Sequence, residues 1–191
     1  MERLNILGIC GSLRAASYNR SALWLAAACM PEGMHLTDAD LGGIPLFNGD
    51  DFADGFPPAV AELREAIARA DGVLIASPEY NYSVPGVLKN AIDYVSRGPD
   101  QPFTGKPVAI LSASMSVLGG ARMQHDLRKT LTYLGPLVMH RPEVHIGLAH
   151  TKFQDSHCTD DPTRAALSEQ MAAFRAWILR VRRMHEAGVP A

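Results

Sequence analysis

Leu4-Asn5-Ile6-Leu7-Gly8-Ile9-Cys10, followed at once by Gly11-Ser12-Leu13-Arg14-Ala15-Ala16-Ser17-Tyr18-Asn19-Arg20, is the stretch on which the fold turns. The first seven residues form an apolar run of strand length. Beyond Gly11 the spacing becomes helical, with Ala22, Leu23, Ala26, Ala27 and Met30 in period until Pro31 stops the helix. A buried strand that ends at a glycine and hands over to a helix leaves unpaired backbone N–H groups, and the positive end of the helix dipole, facing the turn. Such a turn favours an anion. The hydroxyls of Ser12 and Ser17, the amide of Asn19 and the guanidinium of Arg14 suit a terminal phosphate with several oxygens to satisfy. A plainer reading makes Ser17 a helix cap and leaves Arg14 in solvent.

Two familiar phosphate cradles are absent from this turn. No Gly-Lys-Ser/Thr follows an earlier glycine at Walker spacing, and the dinucleotide G-x-G-x-x-G pattern is missing. The turn is rich in hydroxyls rather than glycines, which favours a monophosphate over a pyrophosphate. Flavin mononucleotide (FMN) is a common ligand of that kind on a doubly wound sheet.

Working outward, Met34 to Ala39 reads as a second strand and Asp40 to Asp51 as a long Gly/Pro/Asn loop. Ile44, Leu46 and Phe47 in that loop either pack locally or meet another subunit, and the second is favoured. Pro57-Pro58 opens a helix with Val60, Leu63, Ile67 and Ala70 on one face. Val73 to Ser77 is the third strand, an apolar run of the kind buried on both faces of a parallel sheet. After the loop Pro78 to Gly86 comes a helix carrying Val87, Leu88, Ala91, Ile92 and Val95. Pro107 to Ala113 is the fourth strand, and Gly119-Gly120 precedes a helix with Met123, Leu127, Leu131 and Leu134 inward. Gly135-Pro136 ends that helix. A fifth strand is expected from Leu137 to His140, resuming over Glu143 to Ile146, and Asp161-Pro162 starts the last helix.

Five strands alternating with helices imply right-handed crossovers and a parallel sheet covered on both faces. The expected fold is α/β and flavodoxin-like, a doubly wound five-stranded parallel sheet of order 2-1-3-4-5 in three layers. Residues 1–191 form one domain in this reading. The crevice of such a sheet opens between strands one and three, where the turn after strand one meets the Pro78 loop.

The 191 residues carry 20% charged and 47% hydrophobic side chains and a formal net charge of -2, which gives no basic footprint for nucleic acid. Cys10, Cys29 and Cys158 are widely spaced, without a C-x-x-C pair or zinc-like spacing, and suggest a reducing, cytoplasmic setting. The opening apolar run is too short for a membrane span, so neither a metal nor a membrane is expected.

In the Pro78 loop, Glu79, Tyr80, Asn81, Tyr82 and Ser83 offer flat apolar area beside polar backbone groups, suited to a heteroaromatic ring with a polar edge. Pro78 and Pro85 restrict its flexing. At the end of the fourth strand, Ser114 and Ser116 sit among small residues that let backbone approach a planar ligand, or simply form a loop whose glycines admit the next helix. The candidate cofactor-binding set is Ser12, Arg14, Ser17, Tyr18, Asn19, Pro78 to Ser83, Ser114 and Ser116. No catalytic side chain is assigned.

Three motifs in order carry a resemblance: Gly11-Ser12-Leu13-Arg14 with Ser17 and Asn19; Pro78 to Gly86 with Leu88-Lys89-Asn90-Ala91-Ile92-Asp93; and Gly119-Gly120-Ala121-Arg122 with Gln124. Together they resemble the NAD(P)H-dependent FMN reductase family, within it the quinone and chromate reductases, from about Leu4 to Val181. The resemblance implies that Ser12, Arg14, Ser17 and Asn19 hold the FMN phosphate. It places Glu79 to Tyr82 along the isoalloxazine and Ser114 near the ribityl chain or ring edge. It also implies dimers, often paired into tetramers, and ping-pong transfer of hydride from a nicotinamide through FMN to quinones, free flavins, azo compounds or metal oxyanions. Ser116 stands where relatives usually place glycine, and Gln124-His125-Asp126-Leu127-Arg128 replaces their Gln-Tyr-His-Leu-Arg. Two other readings remain: an electron carrier that does not meet NAD(P)H, and a binding module that kept the fold without turnover.

Overall fold

The computed structural model describes residues 3–52 and 55–188. Strand β1 (Leu4–Cys10) lies in a parallel sheet between β2 (Met34–Ala39) and the central strand β3 (Gly72–Ala76), and β4 (Pro107–Ala113) pairs with the far side of β3. Two short segments, β5 (Leu137–Val138) and β6 (Val144–Ile146), occupy the fifth position in turn, each parallel to β4. The order is 2-1-3-4-5, as the alternation of elements predicts. Helices α1 (Tyr18–Ala28), α2 (Pro58–Arg69), α3 (Gly86–Val95), α4 (Ala121–Thr132) and α5 (Asp161–Glu186) cover both faces.

Side-chain parity along each strand divides the core in two. Ile6, Cys10, Leu74, Ala76, Ala109 and Leu111 point to the face that α1 and α5 cover with Leu23, Leu167, Met171 and Phe174. Leu7, Ile9, Val73, Ile75, Val108 and Ile110 point the other way, against Ile67 of α2, Leu88 and Ile92 of α3, and Met123 and Leu127 of α4. Buried on both faces, β3 and β4 need apolar residues at nearly every position, which is why they read as continuous runs. Edge strand β2 is exposed at His35, Thr37 and Asp38.

Three features depart from what the sequence alone suggests. The fifth strand, expected to pause between His140 and Glu143, breaks over the wider span 139–143, where buried Gln170 of α5 donates to the carbonyls of Ile110 (3.0 Å) and Pro142 (3.1 Å). An unforeseen hairpin, β7 (Phe153–Gln154) with β8 (His157–Cys158), turns on Asp155 and Ser156, both at positive φ, and sets Phe153 against Tyr18. The Asp40–Asp51 loop packs locally at two of its apolar residues. Asn90 of α3 accepts from the Phe47 N–H (2.8 Å) and donates to the Pro45 carbonyl (2.7 Å), Phe47 meets Tyr94 edge-on, and Ile44 packs on the core. Leu46 alone projects, 85% exposed.

Candidate active site

The turn after β1 begins where Gly11 donates to the Ala76 carbonyl, extending the β1–β3 ladder by one bond. A Cβ at Gly11 would sit 2.4 Å from Ser77 Oγ, so only glycine lets the two strand ends approach this closely. Ser12 and Ser17 are buried at the base of the turn. Ser12 Oγ accepts from the Arg14 N–H (3.4 Å), and Ser17 caps α1 by accepting from the Arg20 N–H (3.3 Å). Beneath them Cys10 donates its thiol to the Ser12 carbonyl, and burial pushes that thiol's pKa up.

The capping reading of Ser17 therefore holds, and Arg14 does reach into solvent, yet the turn retains what an anion needs. Among the described residues, the N–H groups of Ala15, Ala16, Tyr18 and Asn19 have no acceptor and the Arg14 guanidinium has no carboxylate partner. Asn19 differs from expectation. Its amide is turned to β4, donating to the Ala113 carbonyl (2.9 Å) and accepting from the Ala113 N–H (2.8 Å). It ties α1 to the strand carrying Ser114, leaving its own N–H for the turn.

The second wall comes from the segment after β3. Tyr80 and Ser83 pair through two backbone bonds (3.2 and 3.0 Å) around Asn81 and Tyr82, at φ of 49° and 70°. This is the two-residue turn with both central residues left-handed. The Glu79 carboxylate is tied to the start of α4: Oε1 accepts from Arg122 Nε (2.6 Å) and Oε2 from the Met123 N–H (3.2 Å). The bond to Glu79 holds the Arg122 guanidinium more firmly protonated than usual. Arg122 lies on the Tyr82 ring, 3.5 Å from its centroid.

Ser12, Arg14, Ser17, Tyr18, Asn19, Pro78, Glu79, Tyr80 and Ser114 all border one cleft of about 180 Å³, with Ala113 and Met115 added by the structure. Sites that enclose a ligand measure about 300–1,000 Å³, so a ligand anchored here keeps one side open. Asn81 and Tyr82 stand at the rim, exposed. Ser83 faces the groove between α3 and α4 instead, and Ser116 is drawn into its own loop, accepting from Ser114 Oγ (3.2 Å) and, through its carbonyl, from the Leu148 N–H (3.1 Å). Sequence reasoning quoted Arg122 without a role, because its partners lie 43 and 40 residues earlier in the chain.

Larger hollows exist, and in one of them the charges are already matched. At the opposite end of the sheet, Lys106 donates to the Ala68 and Ala70 carbonyls and Arg182 pairs with Asp71. The cleft at the β1–β3 crevice combines unpaired N–H donors with a cation that has no carboxylate partner among the described residues.

Over residues 4–151 the sequence matches the NADPH-dependent FMN reductase family. This chain belongs to that family. It is 49% identical, over 95% of its length and 98% of the relative's, to an NAD(P)H-dependent FMN reductase of Pseudomonas aeruginosa. A quinone reductase of Escherichia coli K12 is 43% identical over 95% of this chain and 98% of its own. Among solved structures, the flavoenzyme NAD(P)H:(acceptor) oxidoreductase FerB of Paracoccus denitrificans superposes with a TM-score of 0.84 at 33% identity, covering 93% of this chain and 98% of that one.

As a member of the FMN reductase family the chain is an oxidoreductase, with FMN as cofactor and NAD(P)H as electron donor. The donor set fits that cofactor. Free N–H groups, two hydroxyls and one unpaired guanidinium match a dianionic phosphate. The adjoining tyrosine turn and the Ala113–Met115 backbone offer apolar area and polar edges for a tricyclic ring.

Proposed function

We propose that residues 1–191 form a single FMN-binding domain that oxidises NADH or NADPH and reduces quinones, with free flavins, azo compounds and metal oxyanions as further acceptors. The observation that carries this reading is the convergence, at one crevice, of an anion-binding turn from β1 and a tyrosine-bearing turn from β3. Ser12, Arg14, Ser17 and the N–H groups of Tyr18 and Asn19 hold the phosphate. Pro78 to Tyr82 border the ring, and Ser114 lies beside the ribityl chain. Bound FMN supplies hydride acceptance and release, in alternating half-reactions with nicotinamide and oxidant. The chain's own residues bind, orient and leave one side open, and none of them serves as nucleophile or general base. A half-open cleft suits broad acceptor use.

The functional unit is a homodimer, or a tetramer of two such dimers. Support comes from exposed Tyr133 (87%) beside the α3–α4 groove and from exposed Met115 lining the cleft, positions that association would cover. Three free thiols agree with a cytoplasmic setting. Among the described residues no helix is long and apolar enough to cross a membrane, and no cluster of metal-binding side chains is present.

Anaerobic mixing of the FMN-loaded protein with NADPH tests the function. The flavin absorbance should bleach and return on adding a quinone. A yellow protein that NADH and NADPH both leave oxidised would be an electron carrier. One that takes up no FMN would be a binding module without redox turnover.

A further inference from the structure

One polar cluster at this cleft takes no part in holding the phosphate. Glu79 has a side chain only 7% exposed, and it joins two segments: its own strand end and the start of α4, where it binds Arg122 and the Met123 N–H, one of the donors left unpaired in the helix's first turn. Arg122 in turn covers the ring of Tyr82. Tyr82 is the second of two successive non-glycine residues with positive φ, in a turn type that usually takes Asn-Gly. A bulky side chain in that region costs energy and persists where its surroundings hold it. Tyr82 is 69% exposed, so core packing does not hold it. The Arg122 face does.

We propose that Glu79 and Arg122 are positioning residues: they clamp the Tyr80–Ser83 turn in its left-handed form and so keep residues 79–82 in register with the flavin ring. This rests on the FMN placement proposed above. The chain of contact runs from the α4 N-terminus through the Glu79 carboxylate to Arg122 Nε, and from the guanidinium to the Tyr82 ring. Neutralising Glu79 frees Arg122 to leave the ring for solvent, and the turn then relaxes toward right-handed backbone. The head of the cofactor loses its wall while the phosphate turn, at least 60 residues earlier in sequence, is untouched.

Binding of FMN and of riboflavin, which lacks the phosphate, separates the two ends. Flavin fluorescence titrations are made on the wild type, Glu79→Gln, Arg122→Leu, Tyr82→Leu, the Arg122→Leu/Tyr82→Leu double variant and Arg14→Ala, with far-UV circular dichroism confirming that each is folded. Glu79→Gln and Arg122→Leu should weaken FMN and riboflavin by the same factor, about three- to tenfold, the range of a cation–π contact and its supporting bond. Arg122→Leu should cost less in the Tyr82→Leu background than in the wild type, because the two residues act as one unit. Arg14→Ala should weaken FMN but not riboflavin. If Arg14→Ala behaves so while the Glu79 and Arg122 variants bind both ligands like the wild type, the clamp is refuted and the cofactor placement stands. Full additivity of the Arg122 and Tyr82 losses also refutes the clamp. A folded wild type that binds neither ligand refutes the placement and the clamp together.

Discussion

Arg14 reaches out from the β1 turn with no carboxylate beside it among the described residues, so its charge is available to a ligand. Arg14→Ala is expected to cost about 1.5–3 kcal/mol of FMN affinity, the scale of a hydrogen bond to a charged group, read by fluorescence titration. Asp160 does a different task. Its carboxylate accepts from the Thr163 hydroxyl (2.6 Å) and N–H (2.9 Å), capping α5, and these bonds hold its pKa below the ordinary carboxylate range. A group whose pKa is lowered on folding stabilises the fold fully above its unfolded pKa and loses that contribution as pH falls through the folded one. Asp160→Asn, which keeps the cap without the charge, should therefore melt below the wild type at pH 7 and converge with it as the pH drops below the ordinary carboxylate range. Thermal melts across that window check this.

At the scale of elements, two junctions set the site. The close approach of β1 and β3 depends on Gly11. Gly11→Ala places a methyl 2.4 Å from Ser77 Oγ and should destabilise the protein by about 1–3 kcal/mol in urea unfolding, the usual cost of overpacking. The Asp40–Asp51 loop is fastened to α3 by the two Asn90 bonds and by the Tyr94 hydroxyl, which donates to the Leu46 carbonyl at 3.0 Å. Asn90→Ala leaves the Phe47 N–H and the Pro45 carbonyl without their side-chain partner. It should accelerate amide hydrogen exchange around Phe47 and lower stability by about 1–3 kcal/mol.

For the whole molecule, FMN that binds the native chain and not the unfolded one must raise stability by mass action. At a free FMN concentration one hundred times Kd the gain is about 2.7 kcal/mol, and scanning fluorimetry should show the melting temperature climbing with FMN. An unmoved melting temperature would contradict a folded-state flavin site. The layered sheet and its order were legible in the sequence. Burial on one strand face or one helix stripe is written in local periodicity, as in Val73–Ala76 or Met123, Leu127 and Leu131. The turn proposed to hold the phosphate is marked locally for the same reason, since its glycine, hydroxyls and cation lie within nine residues of Gly11. Only the tertiary structure decided where the polar side chains went. Asn19 found Ala113 94 residues away, Glu79 found Arg122 43 residues away, and Gln170 filled the break in the fifth strand. A polar group takes whichever partner the packed layers bring within about 3 Å, and no local pattern encodes that choice.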